Sequence, residues 1–233
     1  MIDFHSHILP GMDDGSAGPE ESVAMLRMEA AQGLEHVVLT PHFYPYEESP
    51  DSFLARRDAA ERTLRAALKG LERLPRLLAG AEVFFFRGMS ESEELAKLAI
   101  RGTRAIMIEL PPAPWPEAVY QELAMIRERW DLIPIIAHID RYIGPLRTYG
   151  IPERLARLPV LVQANGSCFL NWRTAGMAVR MLQRGQIHLL GSDCHNMTSR
   201  KPNLEQAGAY ITEKLGPGAL ARVREHEYQI LGI

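Results

Sequence analysis

Polar side chains that can bind a metal ion or carry a proton follow each of the apolar runs in this sequence. These runs end in His5-Ser6-His7, Thr40-Pro41-His42, Ala81-Glu82, Ile108-Glu109, Ala137-His138, Asn165 and Asp193-Cys194-His195. A lone ionised carboxylate in apolar surroundings is costly, and shared divalent cations would neutralise it. Mixed nitrogen and oxygen ligands suit Mn²⁺, Fe²⁺ or Zn²⁺. The pattern therefore predicts a cluster of divalent metal ions.

The spacing within two of these motifs strengthens the interpretation. Side chains two residues apart in an extended segment point the same way, so His5 and His7 can reach one ion, as can Asp193 and His195. For any single member, a hydrogen-bonded core histidine or a capping carboxylate is the ordinary alternative. The whole set favours a metal site.

Seven units of a short apolar run followed by an amphipathic segment predict a parallel sheet covered by helices. The predicted strands are Ile2–His5, His36–Thr40, Leu77–Phe84, Ala105–Leu110, Leu132–Ala137, Val160–Ala164 and His188–Gly191. The predicted helices are Pro19–Gln32, Pro50–Gly70, Glu91–Ile100, Pro116–Trp130, Pro152–Leu158, Thr174–Arg184, Leu204–Leu215 and a C-terminal helix after Gly218. Periodicity does not separate a barrel from a doubly wound sheet. Ligands gathered at strand ends favour the barrel, whose active sites lie at the C-terminal ends of the strands.

Composition predicts one α/β domain over residues 1–233, with 46% hydrophobic and 24% charged residues. The net charge of −3 and the absence of long basic runs argue against nucleic acid or a membrane as partner. No signal peptide or apolar run of transmembrane length is evident, and the only cysteines are Cys168 and Cys194. We expect a cytoplasmic protein; its oligomeric state is left open.

The motifs resemble the polymerase-and-histidinol-phosphatase (PHP) superfamily. They occur in its order: His5-x-His7, the loop Pro10-Gly11-Met12-Asp13-Asp14-Gly15, Thr40-Pro41-His42, Ala137-His138-Ile139-Asp140-Arg141 and Ser192-Asp193-Cys194-His195-Asn196. The chain length and the Asp-Asp-Gly loop resemble manganese-dependent protein-tyrosine phosphatases of bacterial capsule and exopolysaccharide gene clusters. The resemblance covers the whole chain and implies a distorted (β/α)7 TIM-like barrel of PHP type.

The resemblance also implies two or three divalent metal ions, most often Mn, with Fe or Zn as alternatives. The first ion would be held by His5, His7, Glu82 and Asp193, the second by Glu82, Glu109 and His138, and the third by Asp14, His42 and His195. Asp13 is an alternative to its neighbour Asp14. Arg141 and Arg200 match phosphate-binding arginines, whose guanidinium forks suit phosphate oxygens.

The implied reaction is hydrolysis of phosphotyrosine in the tail of an autophosphorylating tyrosine kinase that regulates polysaccharide synthesis. Hydroxide activated by the metals would attack the phosphate, and the two arginines would neutralise its oxygens. Phe43, Tyr44 and Tyr46 follow His42 and could flank the substrate ring, although packing within their own loop is an equal alternative.

Several alternatives remain at this stage. Cys194 and Arg200 have the spacing of cysteine-dependent tyrosine phosphatases, but the five residues between them contain no glycine for a phosphate loop. A histidinol-phosphate phosphatase or another PHP phosphoesterase would use the same ligands. An amidohydrolase is disfavoured because Glu109 stands where a modified lysine is usual. A non-catalytic metal-binding module is the remaining alternative.

Overall fold

The computed structural model describes residues 1–143 and 150–232. Over these ranges the chain forms nine strands and eight α-helices. The strands are β1 Ile2–Ser6, β2 His36–Leu39, β3 His42–Phe43, β4 Arg76–Ala79, β5 Glu82–Phe84, β6 Ala105–Glu109, β7 Ile133–Ile136, β8 Leu161–Asn165 and β9 Leu189–Gly191. The helices are α1 Pro19–Ala31, α2 Pro50–Ala67, α3 Glu117–Trp130, α4 Ile151–Leu155, α5 Gly166–Leu170, α6 Ala175–Gln183, α7 Leu204–Leu215 and α8 Pro217–Leu231.

The strands form a curled, wholly parallel sheet in two hydrogen-bonded sets, ordered β1-β2-β4 and β3-β5-β6-β7-β8-β9. The chain passes from the first set to the second at two places: residues 40–41 connect β2 to β3, and residues 80–81 connect β4 to β5. There Gly80 N donates to Leu39 O at 2.8 Å and Glu82 N to Pro41 O at 3.0 Å. The single strand predicted over residues 77–84 was wrong, because these bonds bend it into β4 and β5.

The two outer members of this strand order, β1 and β9, also lie against each other. Asp193 N donates to His5 O at 2.7 Å, and His7 N donates to Cys194 O at 2.9 Å. Ser6 and Cys194 form a parallel bridge. The motifs that follow β1 and β9 are thereby held side by side.

Both faces of the sheet are buried, as the near-continuous apolar runs predicted. In β6, Ala105 and Met107 pack in one cluster with Ile2 and Phe4, whereas the alternate residues of β6 pack toward the helices. The C-terminal part of α8 packs against the first cluster through Tyr228, Ile230 and Leu231. Helix α8 therefore covers the end of the sheet opposite to the candidate ligands.

Most predicted helices are confirmed, with two corrections. Residues 91–100 do not form the predicted helix: Leu95–Leu98 is a 3₁₀ turn that buries Leu95 and Leu98, three residues apart. The short α5 was not predicted, because its five residues carry no helical repeat. Over the described residues, none of the helices combines the length and the apolar character needed to cross a membrane.

Candidate metal centre

All the ligands predicted from sequence lie together at the C-terminal ends of the strands. The group consists of His5, His7, Asp14, His42, Glu82, Glu109, His138, Asp193 and His195. Most of these side chains are buried, and Asp14 is the exposed exception, at 64%. Their approach is a property of the parallel sheet, since its strands bring their carboxyl ends to one edge.

Glu82, at the start of β5, is the centre of the group. Its Oε2 lies 3.0 Å from His42 Nδ1, 3.1 Å from His5 Nε2 and 3.3 Å from His7 Nε2. Its Oε1 lies 2.7 Å from His138 Nε2. Burial alone would raise the pKa of this carboxyl, but the surrounding histidines hold it well below its usual range. Glu82 is therefore a buried anion whose charge faces four imidazoles.

The donor atoms form three overlapping groups within which they all lie within 4.8 Å of one another. The groups are His5, His7 and Asp193; His42, Glu82 and Glu109; and His7, Asp14, His42 and His195. His138 Nε2 lies 3.6 Å from Glu109 Oε1, next to the second group. These groups match the implied ligand sets in most members, but they share His7 and His42 across two groups.

The hydrogen bonding of this group fits a cation better than it fits a dry polar core. Within the described parts of the chain, Glu82 Oε2, His42 Nδ1 and His195 Nε2 are buried and have no hydrogen-bond partner. The neighbouring nitrogens and oxygens approach to 3.0–3.5 Å without hydrogen-bond geometry. Buried polar atoms are normally satisfied, so unpaired lone pairs that converge are the donor set a divalent ion requires.

Two members of the group have unusual backbone conformations. His138 has φ 31° and Asp193 has φ 52°, in the left-handed region that side chains other than glycine rarely adopt. Both follow a strand end, β7 and β9, at the point where the chain turns away from the sheet. Strain of this kind concentrates at functional sites.

The charges of the group are tightly coupled. Burial lowers the pKa of His7, but its bond to Asp13 and the charge of Glu82 raise it to about 10. Burial and the charge of His7 lower the pKa of His195 to about 4. Burial and the neighbouring Glu82 raise the pKa of Glu109. The protonation of each group in the cluster therefore depends on the charges of its neighbours.

The two adjacent aspartates contact different members of the group. Asp13 Oδ2 accepts from His7 Nδ1 at 2.8 Å and from the backbone N of His42 at 2.9 Å, so it orients the ring of one predicted ligand and the backbone of another. Asp14 Oδ1 instead lies 3.2 Å from His195 Nε2 and 3.5 Å from His42 Nε2. This geometry favours Asp14 as the ligand.

The two predicted phosphate-binding arginines flank the cluster, and both contact Asp193. Arg141 donates to Asp193 Oδ2 at 2.5 Å, and Arg200 donates to Asp193 Oδ1 at 2.8 Å. Their side chains are 40% and 38% exposed. Both guanidinium groups therefore lie between the buried ligands and solvent.

The aromatic residues after His42 divide between the site, the core and the surface. Tyr44 stacks on the His42 ring at 5.3 Å between centroids. Phe43 is buried against Phe53. Tyr46 is 78% exposed. Only Tyr44 lies directly against a predicted ligand.

Cys194 lies behind the group, away from solvent. It is fully buried, and its thiol donates to Glu29 Oε1 at 3.7 Å. Burial, together with the carboxylates of Glu29 and Asp3, raises its pKa well above the usual range. A thiol held in its neutral form is a poor nucleophile.

Two polar residues of β8 contact the predicted ligands; sequence reasoning named Asn165 only as the residue that ends an apolar run, and it missed Gln163. Gln163 and Asn165 are buried on the same side of this strand and hydrogen-bond to each other, to His5, to His138 and to Asp193. Two amides separated by one residue in an otherwise apolar strand were the available signal, since polar residues in a buried strand need partners.

Comparison with known proteins places the chain in a family. Residues 1–229 match the family model described as capsular polysaccharide synthesis, CpsB/CapC. The chain is 30% identical to tyrosine-protein phosphatase YwqE of Bacillus subtilis over 224 residues, which cover 92% of this chain and 84% of the relative. It is 28% identical to tyrosine-protein phosphatase CpsB of Streptococcus pneumoniae over 231 residues, covering 93% and 91%.

Solved structures agree with this placement at the level of the fold. The chain superposes with a TM-score of 0.84 on a structure described among those of YwqE from Bacillus subtilis and CpsB from Streptococcus pneumoniae, unique metal-dependent tyrosine phosphatases. The identity is 23%, and the match covers 100% of this chain and 94% of the other. A lactonase from Listeria monocytogenes shares the fold more distantly, with a TM-score of 0.52 at 12% identity. The chain belongs to the CpsB/CapC family of capsular polysaccharide synthesis proteins.

Proposed function

We propose that this chain is a metal-dependent protein-tyrosine phosphatase that acts in capsular or exopolysaccharide synthesis. One observation carries the proposal. The buried Glu82 oxygen, Oε2, lies 3.0–3.3 Å from ring nitrogens of three histidines, without hydrogen-bond geometry. It does so in a chain whose relatives are named tyrosine-protein phosphatases.

Two or three divalent cations are the proposed cofactors, with Mn²⁺ the first choice and Fe²⁺ or Zn²⁺ as alternatives. The proposed ligands are His5, His7, Glu82 and Asp193 for one ion, Glu82, Glu109 and His138 for another, and Asp14, His42 and His195 for a third. Bound cations would neutralise phosphate oxygens and activate water for attack on phosphorus. The buried carboxylates of Glu82 and Asp193 support this assignment, since bound cations would neutralise them.

Arg141 and Arg200 are proposed to bind the phosphate. Each guanidinium donates to a different oxygen of Asp193, and each is partly exposed. A phosphate group entering from solvent would meet both and compete with Asp193 for their N–H groups. Tyr44, stacked on His42, would then provide an aromatic wall for the phenyl ring of the substrate.

The curled sheet is proposed to be a distorted seven-unit TIM-like barrel of PHP type. Counting β2 with β3, and β4 with β5, as single bent strands reduces the nine strands to seven. The hydrogen bonds from Asp193 to His5 and from His7 to Cys194 support closure between β1 and β9. In such a barrel the proposed metal cluster occupies the usual position of the active site.

A phosphotyrosyl protein is the proposed substrate, and the tail of a bacterial tyrosine autokinase in the cytoplasm is the form that we favour. The names of the relatives, and their family's description as capsular polysaccharide synthesis proteins, support this choice. The chain's net charge of −3 supports neither nucleic acid nor an anionic membrane as an alternative partner.

The test is hydrolysis of a phosphotyrosyl peptide by metal-stripped protein titrated with Mn²⁺. We expect activity that requires the metal and falls at least about 100-fold in His138→Ala. Two controls should remain within about threefold of wild type. His188→Ala removes a histidine at the opposite end of the sheet, and Cys194→Ser removes the thiol.

Loss of activity only in Cys194→Ser would replace the metal mechanism by a thiolate mechanism. Turnover of histidinol phosphate or a phosphodiester at a higher kcat/KM than the phosphotyrosyl peptide would reassign the substrate within the superfamily. Full activity in metal-stripped protein would remove the cluster from the reaction.

A further inference from the structure

Gln163 has no role in the reaction proposed above, yet it contacts more of the proposed ligands than any other residue of β8. Its Oε1 accepts from His138 N at 2.6 Å and lies 3.3 Å from His5 Nδ1. Its Nε2 donates to Asn165 Oδ1 at 3.0 Å. The side chain is fully buried between β7, β1 and β9.

The orientation of this amide is determined by its neighbour. A backbone N–H can only donate, so the atom of Gln163 that faces His138 N at 2.6 Å must be the oxygen. The same oxygen then faces His5 Nδ1, and an oxygen can only accept there. The proton of the neutral His5 ring must therefore be on Nδ1.

This tautomer leaves the lone pair of His5 Nε2 directed at the cluster. His5 Nε2 lies 3.1 Å from Glu82 Oε2 and 3.7 Å from Asp193 Oδ1. The opposite tautomer would place a proton between these atoms and exclude a cation. A hydrogen bond on the far ring nitrogen is the usual way in which proteins orient a metal-binding histidine.

A second branch of the same chain of hydrogen bonds reaches Asp193. Because Gln163 Nε2 donates to Asn165 Oδ1, the other atom of the Asn165 amide is its Nδ2. That nitrogen donates at 2.9 Å to Asp193 Oδ2, the oxygen that Arg141 also binds, while Asp193 Oδ1 faces His5 and His7. The direction of every bond in the chain follows from the single N–H of His138.

We propose that Gln163 is a positioning residue of the metal centre: it fixes the tautomer of His5 and, through Asn165, adds a third hydrogen bond to the Asp193 carboxylate that Arg141 and Arg200 also orient. The inference rests on the proposed metal cluster. One buried amide thus links His5 in β1, His138 after β7 and, through Asn165, Asp193 after β9. Its role is exerted through the ligands, and it need not touch either substrate or metal.

The test uses zinc-loaded protein with ¹⁵N-labelled histidine, because Zn²⁺ is diamagnetic and allows NMR to show which ring nitrogen carries the proton. In wild type we expect His5 to give a slowly exchanging Nδ1–H signal. In Gln163→Leu this exchange should accelerate at least about tenfold, and Zn²⁺ affinity should fall about 10- to 100-fold. Gln163→Glu keeps the accepting oxygen and should restore the His5 signal.

Val162→Ala is the matched control, because Val162 lies next to Gln163 in β8 and packs toward the helices. It should lower stability without altering the His5 signal. The inference is overturned if the wild-type proton is on Nε2, if Gln163→Leu leaves its exchange unchanged, or if Val162→Ala has the same effect.

Phosphotyrosine hydrolysis by the wild type is measured separately. An inactive wild type with the expected His5 signal would overturn the proposed function and leave the positioning role intact. An active wild type with an unchanged signal in Gln163→Leu would support the proposed function and overturn the positioning role.

Discussion

Replacing Gly191 by alanine should damage both the stability of the protein and its metal centre. Gly191 pairs with Asn165 at the end of β9, where the chain passes beneath His5. A Cβ atom at this position would lie 2.5 Å from His5 Cβ, 2.7 Å from Gln163 Nε2 and 3.0 Å from His5 N. Two of these atoms cannot rotate away without moving the backbone of β1.

The magnitude follows from these distances. Carbon atoms in contact prefer about 3.5–4.0 Å, so β1 and β9 must separate by about 1 Å. Overpacking of a filled core costs about 1–3 kcal/mol, and we expect about 3 kcal/mol because backbone must move. For a chain of this size that corresponds to a fall in Tm of about 6–12 °C. Displacement of His5 and Gln163 should also lower Zn²⁺ affinity about 10- to 100-fold.

Gly208→Ala is the control, because it makes the same change at a buried site with room for it. The nearest atom to its added Cβ would be Leu220 Cδ1 of α8 at 3.6 Å, an ordinary contact between α7 and α8. Alanine in a helix interior should stabilise the fold by up to about 1 kcal/mol. Thermal unfolding and calorimetric Zn²⁺ titration measure both variants. A Gly191→Ala protein with wild-type Tm and wild-type affinity would refute the packing argument.

Three further predictions concern the surroundings of the site and the opposite end of the sheet. Asp13→Asn should weaken Mn²⁺ binding about 10- to 100-fold, because Asp13 orients His7, whereas Asp14→Asn should affect only the most weakly bound ion. Equal losses of affinity in calorimetric titrations would contradict the different roles of the two aspartates. Arg200→Lys should raise KM for a phosphotyrosyl peptide at least about tenfold, since lysine lacks the guanidinium fork, while metal content by mass spectrometry stays unchanged; an unaltered KM would remove Arg200 from phosphate binding. Burial and His226 lower the pKa of His188 to about 4, so the folded state excludes a proton that the unfolded chain accepts near pH 6.5. Its stabilising effect is complete above pH 6.5 and is lost as the pH falls toward 4. The free energy of unfolding, measured with urea, should therefore fall less between pH 7 and pH 4.5 in His188→Asn than in wild type. The expected difference is about 1.5 kcal/mol, after allowance for the partial exposure of the ring. Equal falls in the two proteins would disprove this assignment.

The sequence by itself determined the class of fold and the edge of the sheet at which chemistry could occur. Apolar runs of strand length, each followed by a histidine or a carboxylate, are a local pattern that a single chain displays directly. The parallel order of the strands then brings those ends together, as it does for Glu82 and His138. Motif order was sufficient to indicate the family, which the match over residues 1–229 confirms.

Only the tertiary structure decided the features that depend on contacts distant in sequence. Hydrogen bonds across neighbouring strands divided the predicted strand at residues 80–81, and the local sign of that bend, Gly80, does not show which strands its two halves pair with. The different contacts of Asp13, which faces His7, and Asp14, which faces His195, are another such feature. The contacts of Gln163 with His138 and His5 join residues 25 and 158 positions apart. The sequence shows which polar groups are present, but it does not show which of them pair. The direction of a hydrogen bond is defined only after folding has brought the donor and the acceptor together.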